Sequence, residues 1–386
     1  MMSWSVCWRN LNKVPQKRIW KSEINPRLPL KRVGQASTVA LATARRASCS
    51  TRRGRINHYE GGRAVATALQ KLRRTLMGVP PKKATSFSQG DSESWKHLES
   101  VVLTALEGYH LTLDSSKFEV LIPRLDEIPL AMRSYAYEGA AMGLTGLDLM
   151  LPWKKRLRAY MAGPGAPHIY MVHIGTGEAL ALMRRNPEPF IAALENQEIS
   201  WLVMEGYGFH KGFFHSKQYI DRQKRPARFS PYGQRIFDQG LGRCVWFLAG
   251  ANVERIAATL AAFPPSRQAD MWVGIGVACT YVGGVDRQTV LALQKAAGPY
   301  EGQMAMGAAF VAKGRQLAGN PVPHTDLVCH ILWGISADQA AEKTTRAFRN
   351  LPHSGPTPAF EVLQQRLLAD FALRGEPIYQ QKEVNS

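Results

Sequence analysis

Seven glycines recur inside apolar, helix-like stretches of this chain: Gly108 (LEGYHL), Gly139 (YEGAAMGL), Gly175 (HIGTGEAL), Gly206 (MEGYGFHKG), Gly240 (DQGLGRCV), Gly274 (VGIGVACT) and Gly307 (AMGAAFVA). Their successive separations are 31, 36, 31, 34, 34 and 33 residues. A period of this length is the mark of stacked helix-turn-helix units. The expected fold is therefore all-α, a right-handed, α-solenoid-like stack of repeats of about 33 residues in which each glycine-bearing stretch is helix A. Glycine costs about 1 kcal/mol against alanine within a helix. Its recurrence calls either for close backbone approach between helices or for room for a ligand along the inner face.

The second helix of each unit carries its own punctuation. NPEPFIAALENQ offers Asn186 as N-cap, Pro187 at the first helical position and an apolar stripe of Phe190, Ile191 and Leu194. Asn252 opens GANVERIAATLAAFPP, which Pro264 and Pro265 close, and Asp286 opens VDRQTVLALQKAAGP, which Gly298 and Pro299 close. Ser336 and Gln339 form a capping box at the head of ISADQAAEKTTRAF. The copy after Gly206 departs from this plan, because SKQYIDRQKRPARFSP is basic and holds Pro226 and Pro231. It reads as a functional loop.

The residue before each glycine is Glu107, Glu138, Glu205 or Gln239 in four copies. Acids among Tyr, Met and Val are expected to pair with a buried donor or to face a cavity, with Arg133, Arg243 and His210 as candidate donors. The densest chemistry lies in EGYGFHKGFFH, residues 205–215. His210 and His215 are five apart, about 140° around a helix, and do not converge on one metal. No nucleophile elbow, P-loop, dinucleotide fingerprint or aspartate-rich motif is present, so no metal or cofactor is expected. Glu205, His210, His215, Asp238 and Arg243 are the catalytic candidates, and Tyr207, Phe209, Phe213, Phe214, Glu138 and His173 the substrate-binding ones. Such a pocket suits a greasy, unsaturated ligand, with plain core packing as the competing role.

The net charge of +19 is unevenly placed, with 17 Lys and Arg against Glu23 and Glu60 between Met1 and Leu76. The rest of the chain is close to balanced, so a nucleic-acid partner is not expected. Residues 1–64 lack periodicity and read as a basic leader without structure. The leader fits an organellar transit peptide, a nucleic-acid arm, or upstream sequence from a start codon set too early, and the abrupt onset of order at Val65 favours the last. A single domain spanning 65–375 and an unstructured tail at 376–386 are expected. Val65, Leu69, Leu72 and Leu76 form an apolar stripe, read as a helix docked on its own domain and ended by Pro80 and Pro81. The uncharged apolar run Met271 to Val285 falls short of the roughly 20 residues that span a bilayer. Five cysteines without a CxxC pair point to a reducing cytosol.

The run LRRTLMGVPP, YAYEGAAMGL, MEGYGFHKGFFH, FDQGLGRCVWFLAGA, FPPSRQADMWVGIGVACTYVGG and GNPVPHTDLVCHILWG resembles the bacterial UnbL-type family of unknown function, named from enediyne antibiotic gene clusters. The similarity covers about Leu72 to Phe371 and implies a cytosolic bacterial protein of secondary metabolism that works beside a polyene-forming polyketide synthase. It implies no catalytic residues. Two roles follow. The protein binds or converts a hydrophobic polyene intermediate by proton transfer, isomerisation or cyclisation, or it is a helical scaffold for a partner enzyme or carrier protein. Polar residues confined to one pocket mark the first, and acids and arginines spread along a whole concave face mark the second.

Overall fold

The computed structural model describes residues 68–373 apart from 69, 196, 353 and 354. The leader at 1–64, the onset at Val65 and the tail at 376–386 lie outside the described residues. Among the described residues every regular element is helical, as expected, and no strand occurs. The seven glycine-bearing stretches are α1 (Glu93–Asp114), α2 (Leu130–Met150), α3 (Ile169–Leu182), α4 (Leu202–Phe214), α5 (Pro231–Leu248), α6 (Pro265–Tyr281) and α7 (Glu301–Ala318). An eighth helix, α8 (Ala337–Ala347), continues the series, and each of the eight packs on the next in chain order.

Glycine makes that packing possible. On α3 through α6 it is doubled as Gly175/Gly177, Gly206/Gly208, Gly240/Gly242 and Gly274/Gly276. Residues two apart point about 200° apart on a helix, so one glycine of each pair serves the preceding helix and the other the following one. A methyl group added at Gly274 would sit 1.9 Å from the Gln239 carbonyl oxygen on α5, and one at Gly276 would sit 2.0 Å from that of Met304 on α7. The same relation joins Gly177 to Val203 at 1.9 Å and Gly206 to Ile174 at 2.0 Å. Carbonyl oxygens of one helix thus rest on the Cα atoms of the next, a geometry that favours weak Cα–H···O contacts worth about 0.5–1 kcal/mol each. At the α7–α8 junction no glycine pair is present, and the Thr344 hydroxyl donates to the Ala309 carbonyl at 3.0 Å instead.

The series also curls on itself. Arg243 on α5 reaches Glu138 on α2, the Tyr135 hydroxyl of α2 donates to the Tyr281 carbonyl at the end of α6 (2.9 Å), and His97 of α1 meets the Val282 carbonyl (2.7 Å). The helices therefore surround a bore. A last helix, α9 (Ala359–Ala372), packs on α7 and α8 and sends Gln364 to Gln239 at 3.0 Å, so it covers part of one side.

The connecting segments match the sequence unevenly. Asn252 and Asp286 cap their helices, accepting from Arg255 N–H and Thr289 N–H at 2.8 Å each, and the Ser336–Gln339 capping box is present. That box heads α8, which belongs to the main series; Pro323–Trp333 is the connecting helix before it. After Asn186 only one turn forms, Glu188–Ile191, because the chain must then fold back through turns toward Trp201. The segment after α4 holds only a π-type turn at Lys217–Asp221, and Pro231 opens α5 rather than breaking a helix. Residues 70–77 are helical, but Leu72 and Leu76 are exposed, so the expected docking face is wrong. Docking runs instead through buried Met77, whose carbonyl accepts from Tyr109 at 2.8 Å, and through a two-pronged Arg74–Asp114 ion pair at 2.7 Å.

Because the atom facing Gly274 is backbone and cannot swing away, Gly274→Ala is expected to lower stability by about 1–3 kcal/mol through overpacking. Gly302 on the same series faces side chains alone, the Phe371 ring at 3.1 Å and Leu368 at 3.6 Å, and Gly302→Ala is expected to stay within about 0.5 kcal/mol of the parent. Equal melting of the two variants in denaturant titrations would remove close backbone packing as the role of Gly274.

Candidate functional site

The glycine register also decides which side chains face the bore. Positions one before and three after the recurring glycine of each helix (Gly139, Gly175, Gly206 and Gly240 on α2 to α5) lie about 40° apart, between the two directions taken by neighbouring helices. They place Glu138 and Met142 of α2, Glu178 of α3, Glu205 and Phe209 of α4, and Gln239 and Arg243 of α5 around two cavities inside the series. The larger, about 90 Å³, is bounded by Tyr135, Glu138, Glu178, Arg243 and a predominantly apolar wall that includes Leu106, Phe209, Phe213, Phe214 and Phe247. The smaller, about 40 Å³, lies among Glu205, Gln239, Arg243, Tyr281, Phe310 and Phe360. Arg243 borders both.

Arg243 is the centre of charge. Its Nη2 donates to Glu138 Oε1 at 3.0 Å, and its guanidinium lies 4.6 Å from the centre of the Phe209 ring. Burial works against its positive charge, while Glu138, Glu205 and Glu178 together hold its pKa above the ordinary arginine value. One cation cannot balance three carboxylates in a desolvated bore, so protons remain on some of them. Burial first, then the negative charge of Glu138 and a hydrogen bond to it, raises the Glu178 carboxyl well above the usual range despite Arg243. Of the three carboxyls, Glu178 is the one most disposed to hold a proton. Burial, opposed by Arg243 and reinforced by Glu138, lifts Glu205 to about 7. Glu205 Oε1 and Arg243 Nη1 are both buried without a hydrogen-bond partner.

Of the residues expected from sequence, Glu138, Glu205, Arg243, Phe209, Phe213 and Phe214 border the cavities. The others stand elsewhere. Asp238 is fully buried and clamped by Arg267, at 2.9 and 2.5 Å, and by Arg225, in a separate ion-pair cluster. His173 is buried, with Nδ1 2.7 Å from the Ile169 carbonyl of its own helix. Tyr207 accepts from Arg228 at 2.7 Å and packs against Phe229. His215 is exposed at the end of α4. His210 is buried against Phe214, and burial, Lys211, His215 and Lys83 push its pKa down to about 3. Glu205 and His210 point about 140° apart on α4 and answer to different charges, so they do not share a proton. Glu107, expected to be buried, is exposed, and Arg133 bonds to the Asp126 and Ile128 carbonyls.

Sequence reasoning missed Glu178, Tyr135 and Tyr281. The signal for Glu178 was present, since it stands three after Gly175 as Arg243 stands three after Gly240. Among the described residues no group of three His, Cys, Asp or Glu side chains has the geometry to hold a metal, and no helix is long and apolar enough to cross a membrane.

A helical series with an acidic, arginine-centred bore is the class of protein that these features define. Residues 68–371 match the family described as protein of unknown function DUF1702, and the chain belongs to that family. No curated protein and no solved structure matches it.

Glu205 gives the bore a pH signature. Its folded pKa is raised from 4.5 to about 7, so stability is fully present below about pH 4.5 and falls as pH rises through 7. Glu205→Gln is therefore expected to melt like the parent near pH 4.5 and to be more stable at pH 8 by up to about 3 kcal/mol. Parallel pH dependence in the two proteins would show that Glu205 ionises freely.

Proposed function

We propose that the protein binds an apolar, unsaturated small molecule in the larger cavity and shifts its double bonds by proton transfer from Glu178. The observation that carries this is the Glu178 carboxyl, raised well above the usual carboxylate range by burial and by Glu138, in the wall of a cavity that beyond Glu138 and Arg243 is lined mainly by aliphatic and aromatic groups. The Glu178 O–H gives its proton to one alkene carbon, and the π electron pair becomes the new C–H bond. The cation left on the adjacent carbon is stabilised by the ring faces of Phe209 and Phe213. Loss of a neighbouring C–H proton to the Glu178–Glu138 carboxylate pair restores the acid and a displaced double bond, with no oxidant or reductant consumed.

The gathering of Glu138, Glu178 and Glu205 around the single Arg243, beside an apolar cavity, supports this role over a scaffold. The resemblance to proteins of enediyne gene clusters supports a polyene of secondary metabolism as the substrate. Buried free thiols at Cys244, Cys279 and Cys329 fit a cytosolic location.

The test uses a neutral conjugated tetraene alcohol, whose fluorescence rises when it leaves water. The full-length protein is expected to bind it and to catalyse incorporation of deuterium from heavy water into its carbon chain. Glu178→Gln is expected to retain binding and to slow exchange by about 10²-fold or more. Absence of binding, or exchange undiminished in Glu178→Gln, would overturn the assignment.

A further inference from the structure

The C-terminal end of α4 gathers positive charge from several separate segments. Lys83 comes from the Pro81–Ala84 turn, Arg184 from the segment after α3, Lys211 and His215 from α4, and Arg228 from the stretch before α5. These groups lie within one another's field: His215 is affected by Lys211, Arg184 and Lys83, and Lys211 by Arg184 and Arg228. Among the described residues none of Lys83, Arg184, Lys211 and Arg228 takes part in an ion pair.

Lys211 makes the arrangement more than a solvated basic surface. It is buried, lies 5.3 Å over the Tyr207 ring, and donates one hydrogen bond, 2.9 Å, to the Ala181 carbonyl at the end of α3. An ammonium has three donors, so two are left for another acceptor. Burial, Arg184 and Arg228 together draw its pKa down to about 8, which marks a cation short of a counter-charge. The buried Nδ1 of the adjacent His210 has no partner either. Cations do offset the dipoles of helix C-termini, which accounts for Lys211 and His215 but not for Lys83 or Arg228.

Two members of the cluster, Lys83 and His215, directly adjoin residues that line the larger cavity. Phe214, which lines the cavity and is 36% exposed, touches the His210 ring at 4.7 Å and is followed by His215. Ala84, also in the lining, is preceded by Lys83. We propose that the molecule in the larger cavity is amphipathic, with an anionic head group, a carboxylate or a phosphate, seated at the Phe214 rim among Lys83, Arg184, Lys211 and His215. This rests on the cavity being the ligand site, as argued above. It adds which end of the ligand stays outside and what charge that end carries.

The experiment compares three tetraene probes of equal chain length on the full-length protein: the neutral alcohol, the carboxylate and the phosphate monoester. At low salt at least one anion is expected to bind about tenfold more tightly than the alcohol, and the preference should shrink as salt rises. The double variant Lys83→Glu/Arg184→Glu changes two exposed side chains and is expected to erase the preference while leaving binding of the alcohol intact. Lys211→Met, checked for native melting, should weaken the anions in the same direction. The stronger of the two anions identifies the head group. Equal affinity for alcohol and anions, or a preference that persists in both variants, overturns the anionic head group and leaves the cavity assignment standing. Failure of the alcohol and both anions to bind overturns the cavity assignment and the head group with it.

Discussion

The contact of a carbonyl oxygen with a glycine Cα on the neighbouring helix governs the rest of this structure. Side chains on both surfaces normally hold packed helices about 8–10 Å apart. Here an added methyl group at the crossing would lie about 2 Å from backbone at nearly every junction from α1 to α7, so the axes come closer than side-chain ridges permit. Close crossing also fixes rotation. Once the two glycines of a helix face its two neighbours, the positions before and after them have only the bore left to face.

That rotation forces polar groups into a poorly solvated space. Burying a charged pair carries a desolvation cost that its mutual attraction offsets only with good geometry and further hydrogen bonds. Glu138 and Arg243 meet the condition with a direct bond, and the ring of Phe209 adds a face to the guanidinium. Glu178 and Glu205 have no second arginine, and the low-dielectric bore raises the pKa of both. The reactivity proposed for Glu178 and the instability that Glu205 brings at high pH arise from one cause, an excess of carboxyls over cations in a closed space.

The basic rim follows from the irregular connection after α4. After α4 the chain makes a single π-type turn where α5 and α6 are joined by a full helix, Val253–Ala261. Without a full helix in this connection, the end of α4, with Phe214 and His215, is exposed within the field of Lys83 and Arg184. Its basic residues divide their roles: Arg225 clamps Asp238 inside the fold, whereas Arg228 binds the Tyr207 hydroxyl and stays free of carboxylates.

Glycine spacing and helix caps are local properties of the chain, so the all-α class, the seven main helices, the Asn252 and Asp286 caps and the capping box could be read from sequence alone. So could the burial of Glu138 and Glu205, since both directly precede a contact glycine. Exposure of Glu107 and the position of α8 could not, because each depends on what stands beside a helix at the ends of the series. The catalytic candidates divide on the same line. His210, His215 and Asp238 share a stretch or a helix with cavity residues but not their rotation, and rotation is set by the neighbouring helices. The meeting of Arg243 with Glu138 spans 105 residues of chain and exists only because the series curls. Short-range spacing determined which residues carry charge toward the bore, and the curling of the series decided which of those charges meet and which have their pKa raised.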